Sequence, residues 1–241
     1  MKRIALMIIK NILLFPYYWW KTHYFAKHPD KYTDEEKYGF INWAVKRANK
    51  GGRVTIKAFG LSNIPEKNGF LMTPNHQGMY DCLALMECFP RPFSVVVKKE
   101  AMNYIFVKDV LGSIGAIGMD RDDVRQSLQV IRQVSGEISK GRNFLIFPEG
   151  TRNKDLNNVH EFKGGSFKCA YKAKSPILPV ALIDAFKGFD SGTIEPITVE
   201  VHILPVICYE EYKDMKTPEL ADLVRDRIQS KIDEVLSARG E

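Results

Sequence analysis

Gly69-Phe70-Leu71-Met72-Thr73-Pro74-Asn75-His76-Gln77-Gly78-Met79-Tyr80-Asp81-Cys82-Leu83-Ala84-Leu85-Met86-Glu87-Cys88 packs a short apolar run, a polar turn and a helix-forming stretch into one segment. The run 70–73 has the length of a buried strand, and the stretch after Tyr80 is helical in composition, with an aspartate in its first turn. Strand, tight loop and helix form the repeating unit of an α/β sheet. The same segment also carries chemistry, because His76 and Asp81 stand five residues apart. In a regular helix that spacing is about 500° of rotation, which leaves the side chains about 140° apart and unable to bond. They meet only if the chain turns between them, and Gly78 offers a residue free to take positive φ for that turn. An ionised Asp81 at a helix start would hold the imidazole in one tautomer and leave its other nitrogen to take a proton. A His and an Asp this close also arise by chance and in structural networks, so the rest of the chain has to decide.

Outward from this segment the texture repeats. Short β-type runs fall at 54–59, 93–97, 114–119, 144–147, 177–182 and 197–204, with helical patterns between several of them. The clearest helix is 123–140, where Val124, Leu128, Ile131 and Ile138 keep helical spacing before Gly141 ends it. Residues 217–238 form an amphipathic closing helix. The expected fold is α/β, with a mixed, largely parallel central sheet flanked by helices, and in such sheets the loops at strand ends carry the chemistry.

The N-terminus differs. Residues 1–21, MKRIALMIIKNILLFPYYWWK, resemble a signal peptide or span at first sight, but no small-residue cleavage site follows and Lys10-Asn11 splits the apolar run. On a helical wheel Arg3, Lys10 and Lys21 fall within about 20° of one another, with Ile4, Ile8, Ile12, Phe15 and Trp19 on a separate arc. A cationic stripe beside clustered aromatics describes a helix lying in a membrane interface better than one crossing the bilayer. A second helix, 33–49, opens with a Thr33 cap and three acidic residues, closes at Gly51-Gly52, and can pack on the first as a hairpin. The expected organisation is therefore an interfacial helical hairpin over residues 1–50, holding the chain on the cytoplasmic face of a membrane through residues 1–25, and a catalytic domain over 51–241.

Composition sets limits. The 241 residues are 45% hydrophobic, which excludes a disordered class, and the net charge of +6 calls for an anionic partner. Lysines and arginines are spread along the chain with no nucleic-acid-binding motif, so nucleic acid is not expected. Four cysteines without a C-x-x-C pairing point to reduced thiols and no structural zinc. His76 and Asp81 lack an obvious third ligand, so no catalytic metal is expected. Gly112, Gly115 and Gly118 do not make a dinucleotide fingerprint, and Gly164-Gly165-Ser166-Phe167-Lys168 is neither a phosphate-binding P-loop nor a nucleophile elbow. His23, His28, His160 and His202 are expected in interfacial, surface or satisfied structural roles.

Three further strand ends resemble site material. Phe147-Pro148-Glu149-Gly150-Thr151-Arg152 sets a carboxylate, backbone N–H groups and a guanidinium at one sheet edge, which suits a ligand bearing hydroxyl and phosphate groups, or makes an ordinary turn with an exposed salt bridge. Met119-Asp120-Arg121 ends another apolar run, and Val97 is followed at once by Lys98-Lys99. Three strand ends thus deliver Arg or Lys, concentrating positive charge in one place.

With these residues laid out, residues 50–205 resemble the PlsC-type glycerolipid acyltransferases, the 1-acyl-glycerol-3-phosphate acyltransferase family. Asn75-His76 through Asp81 matches the N-H-x-x-x-x-D block, and 115–121 matches a glycine-led run ending in Asp-Arg, with Gly118 where a bulky residue is usual. F-P-E-G-T-R stands unaltered at 147–152, and 176–180 matches an apolar run ending in Pro-Val. The resemblance implies transfer of a fatty acyl group from acyl-CoA or acyl carrier protein to the 2-hydroxyl of lysophosphatidic acid, with no bound cofactor. It also implies His76 as general base oriented by Asp81, Arg121, Lys98 or Lys99 and Arg152 on the phosphate, and Glu149, Gly150 and Thr151 among the substrate contacts. A related acyltransferase with another acceptor, or a lipid-binding protein without activity, would carry many of the same features.

Overall fold

A computed structural model describes residues 2–153 and 155–240. Seven strands, β1 (Val54–Phe59), β2 (Leu71–Pro74), β3 (Ser94–Lys98), β4 (Ile117–Met119), β5 (Phe144–Leu145), β6 (Ile177–Ile183) and β7 (Ile197–Ile203), form one sheet in the order β1-β7-β6-β2-β5-β3-β4. Every pairing is parallel except β6 with β7, so the sheet is mixed and largely parallel, as the sequence predicts. The central strands β2, β5 and β6 are buried on both faces and so are almost continuously apolar, whereas β1 and β7 alternate more buried with more exposed residues. Phe70, Met72, Val95, Leu145, Leu178, Val180 and Leu182 face one core, while Leu71, Val96, Phe144, Ile146, Ile177, Ala181 and Ile183 face the other, the period-two alternation of a pleated strand.

The helices among the described residues are α1 (Lys2–Lys10), α2 (Phe15–Lys27), α3 (Asp34–Gly51), α4 (Asp81–Cys88), α5 (Val107–Ser113), α6 (Val124–Ser139), α7 (Lys168–Ala173), α8 (Tyr209–Tyr212) and α9 (Thr217–Arg239). Buried residues of α3, α4 and α5 fill the first core, and those of α6, α7 and α9 fill the second. Thr33 caps α3 through a reciprocal box: its Oγ1 accepts the Glu36 N–H at 3.1 Å, and the Glu36 carboxylate accepts the Thr33 N–H at 2.8 Å. Asp123 caps α6 in the same spirit, accepting the N–H groups of Arg125 and Gln126.

The N-terminal segment departs from the expected single helix. It breaks at Asn11, whose amide donates to the Met7 carbonyl at 2.8 Å, and Pro16 starts α2 afresh in its first turn. The break shifts the helical phase, so Arg3, Lys10 and Lys21 do not make one stripe. Arg3 is buried instead: its guanidinium donates to the Gly52 carbonyl at the C-terminus of α3 and to the Glu195 carbonyl at 2.8 Å. Its charge thus meets the negative end of a helix dipole rather than lipid headgroups. α1 packs on α3, as the hairpin reading expects, but α2 leaves it to pack mainly on α5. Met7, Tyr38 and Ile41 from these helices join the same core as the sheet. No helix among the described residues is long and apolar enough to cross a membrane.

Candidate active site

β2, β5, β3 and β4 lie side by side and run the same way, so their carboxyl ends open on one edge of the sheet. That edge receives His76 after β2, Glu149 after β5, Lys98 at the end of β3 and Arg121 after β4. Three strand spacings separate the first from the last, about 14 Å, within reach of an arginine and a small substrate between them.

The turn after β2 is held by polar groups from distant parts of the chain. Asn75 is buried and clamps the turn to β6: its Nδ2 donates to the Leu182 carbonyl at 3.0 Å and its Oδ1 accepts the Leu182 N–H at 2.7 Å. Gln77 ties the turn to two loops, accepting the Ala185 N–H at 2.7 Å and donating to the Leu156 carbonyl and to Asn157 Oδ1. The Asn153 N–H donates to the His76 carbonyl at 2.8 Å.

His76 and Asp81 meet across the turn, as their spacing allows. His76 Nδ1 lies 2.7 Å from Asp81 Oδ2, and the same carboxylate accepts the N–H of Gln77 at 2.7 Å and of Gly78 at 3.0 Å. The negative charge is therefore met by loop N–H groups rather than by those of the following helix. Burial raises the Asp81 carboxyl above its ordinary value, while the His76 ring and the Gly78 and Gln77 N–H groups pull it back. With Nδ1 engaged by the carboxylate, Nε2 has no hydrogen bond among the described residues and is the nitrogen left to take a proton. The ring stacks on Phe147, with centroids 3.9 Å apart and planes 22° from parallel, so both faces of the geometry are fixed by packing and hydrogen bonding.

Gly78 does not take the positive φ expected of it; it is absent from the glycines that do. A Cβ there would stand 2.7 Å from Asp190 Oδ2, the free end of an exposed side chain, and 3.7 Å from the Phe186 backbone, so neither backbone angle nor space demands a glycine at this turn.

Glu149 joins the pair. One carboxylate oxygen accepts the His76 backbone N–H at 2.7 Å, and the other, buried, has no hydrogen-bond partner. Burial pushes this carboxyl up to about 7, against the pull of the His76 and His160 N–H groups. Gly150 takes φ 72°, and the Lys163 side chain crosses where a Cβ would sit, 3.0 Å away at its nearest. The backbone angle is what favours a glycine there, since the Lys163 chain can shift aside. Thr151 and Arg152 are exposed beside it.

The expected cluster of positive charge is partly offset. Lys98 pairs with Glu100 at 3.1 Å and Lys99 approaches Asp120 at 3.9 Å, both at the surface. Arg121 and Arg152 are exposed and have no ion-pair partner among the described residues. Gly118 is explained by its surroundings: a Cβ would meet Met102 at 3.2 Å and the Lys99 Cα at 3.4 Å, so the small residue lets the segment after β3 lie across β4.

Residues 55–183 match the family model described as Acyltransferase. The chain belongs to the acyltransferase family. A relative from Borreliella burgdorferi named 1-acyl-sn-glycerol-3-phosphate acyltransferase is 30% identical over 184 residues, 76% of this chain and 73% of that one. Another of the same name from Helicobacter pylori is 27% identical over 199 residues, 80% of this chain and 83% of the other. The crystal structure of the 1-acyl-sn-glycerophosphate acyltransferase PlsC from Thermotoga maritima shares the fold, with a TM-score of 0.76 and 22% identity over 97% of this chain and 96% of that one. The family match spans the acyltransferase core from β1 to the end of β6, and so includes the His76 turn, Arg121 and the Glu149 loop.

Four residues of the site had no role in the sequence reading. Asn75 and Gln77 flank the histidine, but their partners Leu182, Ala185, Leu156 and Asn157 lie far along the chain, and Asn153 and Phe147 act through contacts that local spacing does not encode. The available signal was an amide side chain on each side of His76 directly after an apolar strand, because such groups must find partners once buried.

Proposed function

We propose that this acyltransferase moves a fatty acyl group from an acyl-CoA or acyl carrier protein thioester to the 2-hydroxyl of 1-acyl-glycerol 3-phosphate, forming phosphatidic acid. The carrying observation is the His76–Asp81 pair, with Nε2 open at a sheet edge that also bears Arg121, Arg152 and Lys98. The names of the relatives supply the acceptor. His76 Nε2 takes the proton of the acceptor hydroxyl as its oxygen attacks the thioester carbonyl, and Asp81 balances the imidazolium that forms. The tetrahedral intermediate then collapses, the C–S bond breaks, and the imidazolium returns the proton to the departing thiolate. The attack is direct, so no covalent acyl-enzyme forms. Arg121 and Arg152 hold the phosphate as charged forks, and Glu149 and Gly150 position the glycerol with Thr151 beside them. On this reading residues 1–50 serve a membrane surface and residues 51–241 carry the chemistry, on the cytoplasmic side where both donors and free thiols belong.

The test is an acyl-transfer assay on purified protein with both donor types. The acceptors are lysophosphatidic acid, glycerol 3-phosphate and a lysophospholipid with a larger head group. Lysophosphatidic acid should be preferred, and His76→Ala should lower turnover by roughly 10²–10⁴-fold while vesicle binding persists. Unchanged turnover in His76→Ala would sink the mechanism, and preference for another acceptor would reassign the substrate.

A further inference from the structure

Two apolar elbows project from one end of the α2–α5 pair. The first is the break between α1 and α2, where Ile12 is 56% and Leu13 91% exposed. The second lies between β3 and α5, where Tyr104 is 63% and Ile105 72% exposed, with Val107 beside them. Exposed side chains of this size on neighbouring loops are uncommon on a surface that meets only water.

The packing of α2 on α5 sets them side by side. Phe15 packs against Phe106 with the rings tilted by 39° and their centroids 5.3 Å apart. Further along, Trp19 and His23 reach Asp109, the Ser113 hydroxyl donates to the Thr22 carbonyl at 2.9 Å, and Ala26 abuts Gly112. Contacts climb both helices together, so the two run parallel and their preceding elbows share one end. Phe106 adopts φ 68°, a conformation rare for a non-glycine residue, in the same short segment that turns Tyr104 and Ile105 outward. Lys10 and Lys108 are exposed at the rim.

We propose that residues 104–107 are a second membrane wedge, inserting beside residues 12–13 into the anionic lipid surface that holds the acceptor. The chemistry of the patch selects this occupant. Aliphatic tips with an aromatic and lysines at the margin match the headgroup–acyl boundary, where apolar tips enter hydrocarbon and cations stay with phosphates. The wedge follows β3 through a single 3₁₀ turn, Lys99–Asn103, so the segment that enters lipid is joined directly to the strand end bearing Lys98. It therefore fixes how deep the sheet edge with His76 and Arg121 sits relative to the acceptor's phosphate. The inference rests on the proposed lipid substrate and extends the membrane face beyond residues 1–25.

The experiment compares Ile105→Asp and Tyr104→Ser with the full-length wild-type chain. Co-sedimentation is measured with phosphatidylcholine vesicles containing phosphatidic acid, and acyl transfer is measured to a monomeric short-chain 1-acyl-glycerol 3-phosphate. Ile105→Asp should weaken sedimentation roughly tenfold or more. It should raise the KM for acceptor presented in vesicles by a similar factor, leaving kcat on the monomeric acceptor and the melting temperature unchanged. Tyr104→Ser should do the same to a smaller degree. Sedimentation equal to wild type in both variants, or no sedimentation of the wild type, overturns the wedge. Unchanged sedimentation with a loss confined to a carrier-protein donor overturns it in favour of a donor-docking face. Failure of the wild type to acylate the monomeric acceptor strikes the proposed substrate alone, because sedimentation still reads the wedge.

Discussion

Between residues 75 and 81 the backbone and side chains are tied to β6, to the loops at 153–157 and 184–185, and to one another, whereas residues 12–13 and 104–105 leave large apolar side chains uncovered. Both regions lie at chain turns, and their difference shows two kinds of specification. The His76 turn is fixed from within, since a buried polar group without a partner costs about 1–3 kcal/mol and the side chains of Asn75, Gln77 and Asp81 have all found theirs. The elbows are shaped by their supports, the Phe15–Phe106 contact and the α2–α5 packing, and their tips are left for something outside the chain. Changes inside the turn should therefore register in activity and stability, and changes at the tips in neither until lipid is present.

The largest effect should come from Asp81→Asn. An amide would set a donor among the His76, Gln77 and Gly78 N–H groups that now share one carboxylate, and the imidazole would lose its tautomer. Turnover should fall by roughly 10³–10⁴-fold with the fold retained, measured by acyl transfer alongside circular dichroism. Near-normal turnover would break the comparison at its stronger side.

Next is Glu149, whose carboxyl sits at about 7 in the folded chain. A carboxyl raised on folding keeps its proton after the unfolded chain has lost it, so stability present at pH 4 is lost as pH rises towards 7. The full difference is about 3 kcal/mol, an upper figure. Glu149→Gln removes this titration, so the variant should gain on wild type between pH 5 and pH 8 in denaturant unfolding. A constant gap across that range would show the carboxyl to be less confined than its burial indicates.

Gly188→Ala tests the packing under the turn. Its Cβ would fall 2.2 Å from the Tyr80 ring, which is fully buried and directly precedes Asp81. Overpacking of this kind should cost about 1–3 kcal/mol in urea unfolding, with a drop in activity as Asp81 shifts. The smallest effect belongs to the other region. Leu13→Ser, at a site 91% exposed, should change stability by no more than about 0.5 kcal/mol in the same unfolding experiment. A larger loss would mean that the elbow is held by the protein itself.

Much of the fold is legible in the sequence because buried strands are short apolar runs with clear ends. All seven runs became strands, although β4 starts at Ile117 because Gly115 turns the chain first, and β5 pairs over Phe144–Leu145 alone. α5 was not legible, since seven residues give too little periodicity. The N-terminal helix was misjudged as continuous because a wheel assumes one phase, and Asn11 and Pro16 reset it. In the site, a spacing of five residues from His76 to Asp81 meant that the two could meet only across a turn, and the F-P-E-G-T-R run marked the Glu149 loop. The positive φ expected of Gly78 is not needed, because the turn closes through the Gln77 and Gly78 N–H groups on the Asp81 carboxylate.

By itself the sequence determined the seven strand segments, the long helices after residue 33 and which His and Asp can share a proton, for these follow from local period and spacing. Only the tertiary structure decided that Asn75 answers to Leu182 and that Phe147 lies under the imidazole. It also decided that β5 and β3 stand between the strands bearing His76 and Arg121. Strand order and buried polar pairing depend on groups far apart in the chain, whose contacts exist only once the sheet has closed, and no local pattern records them.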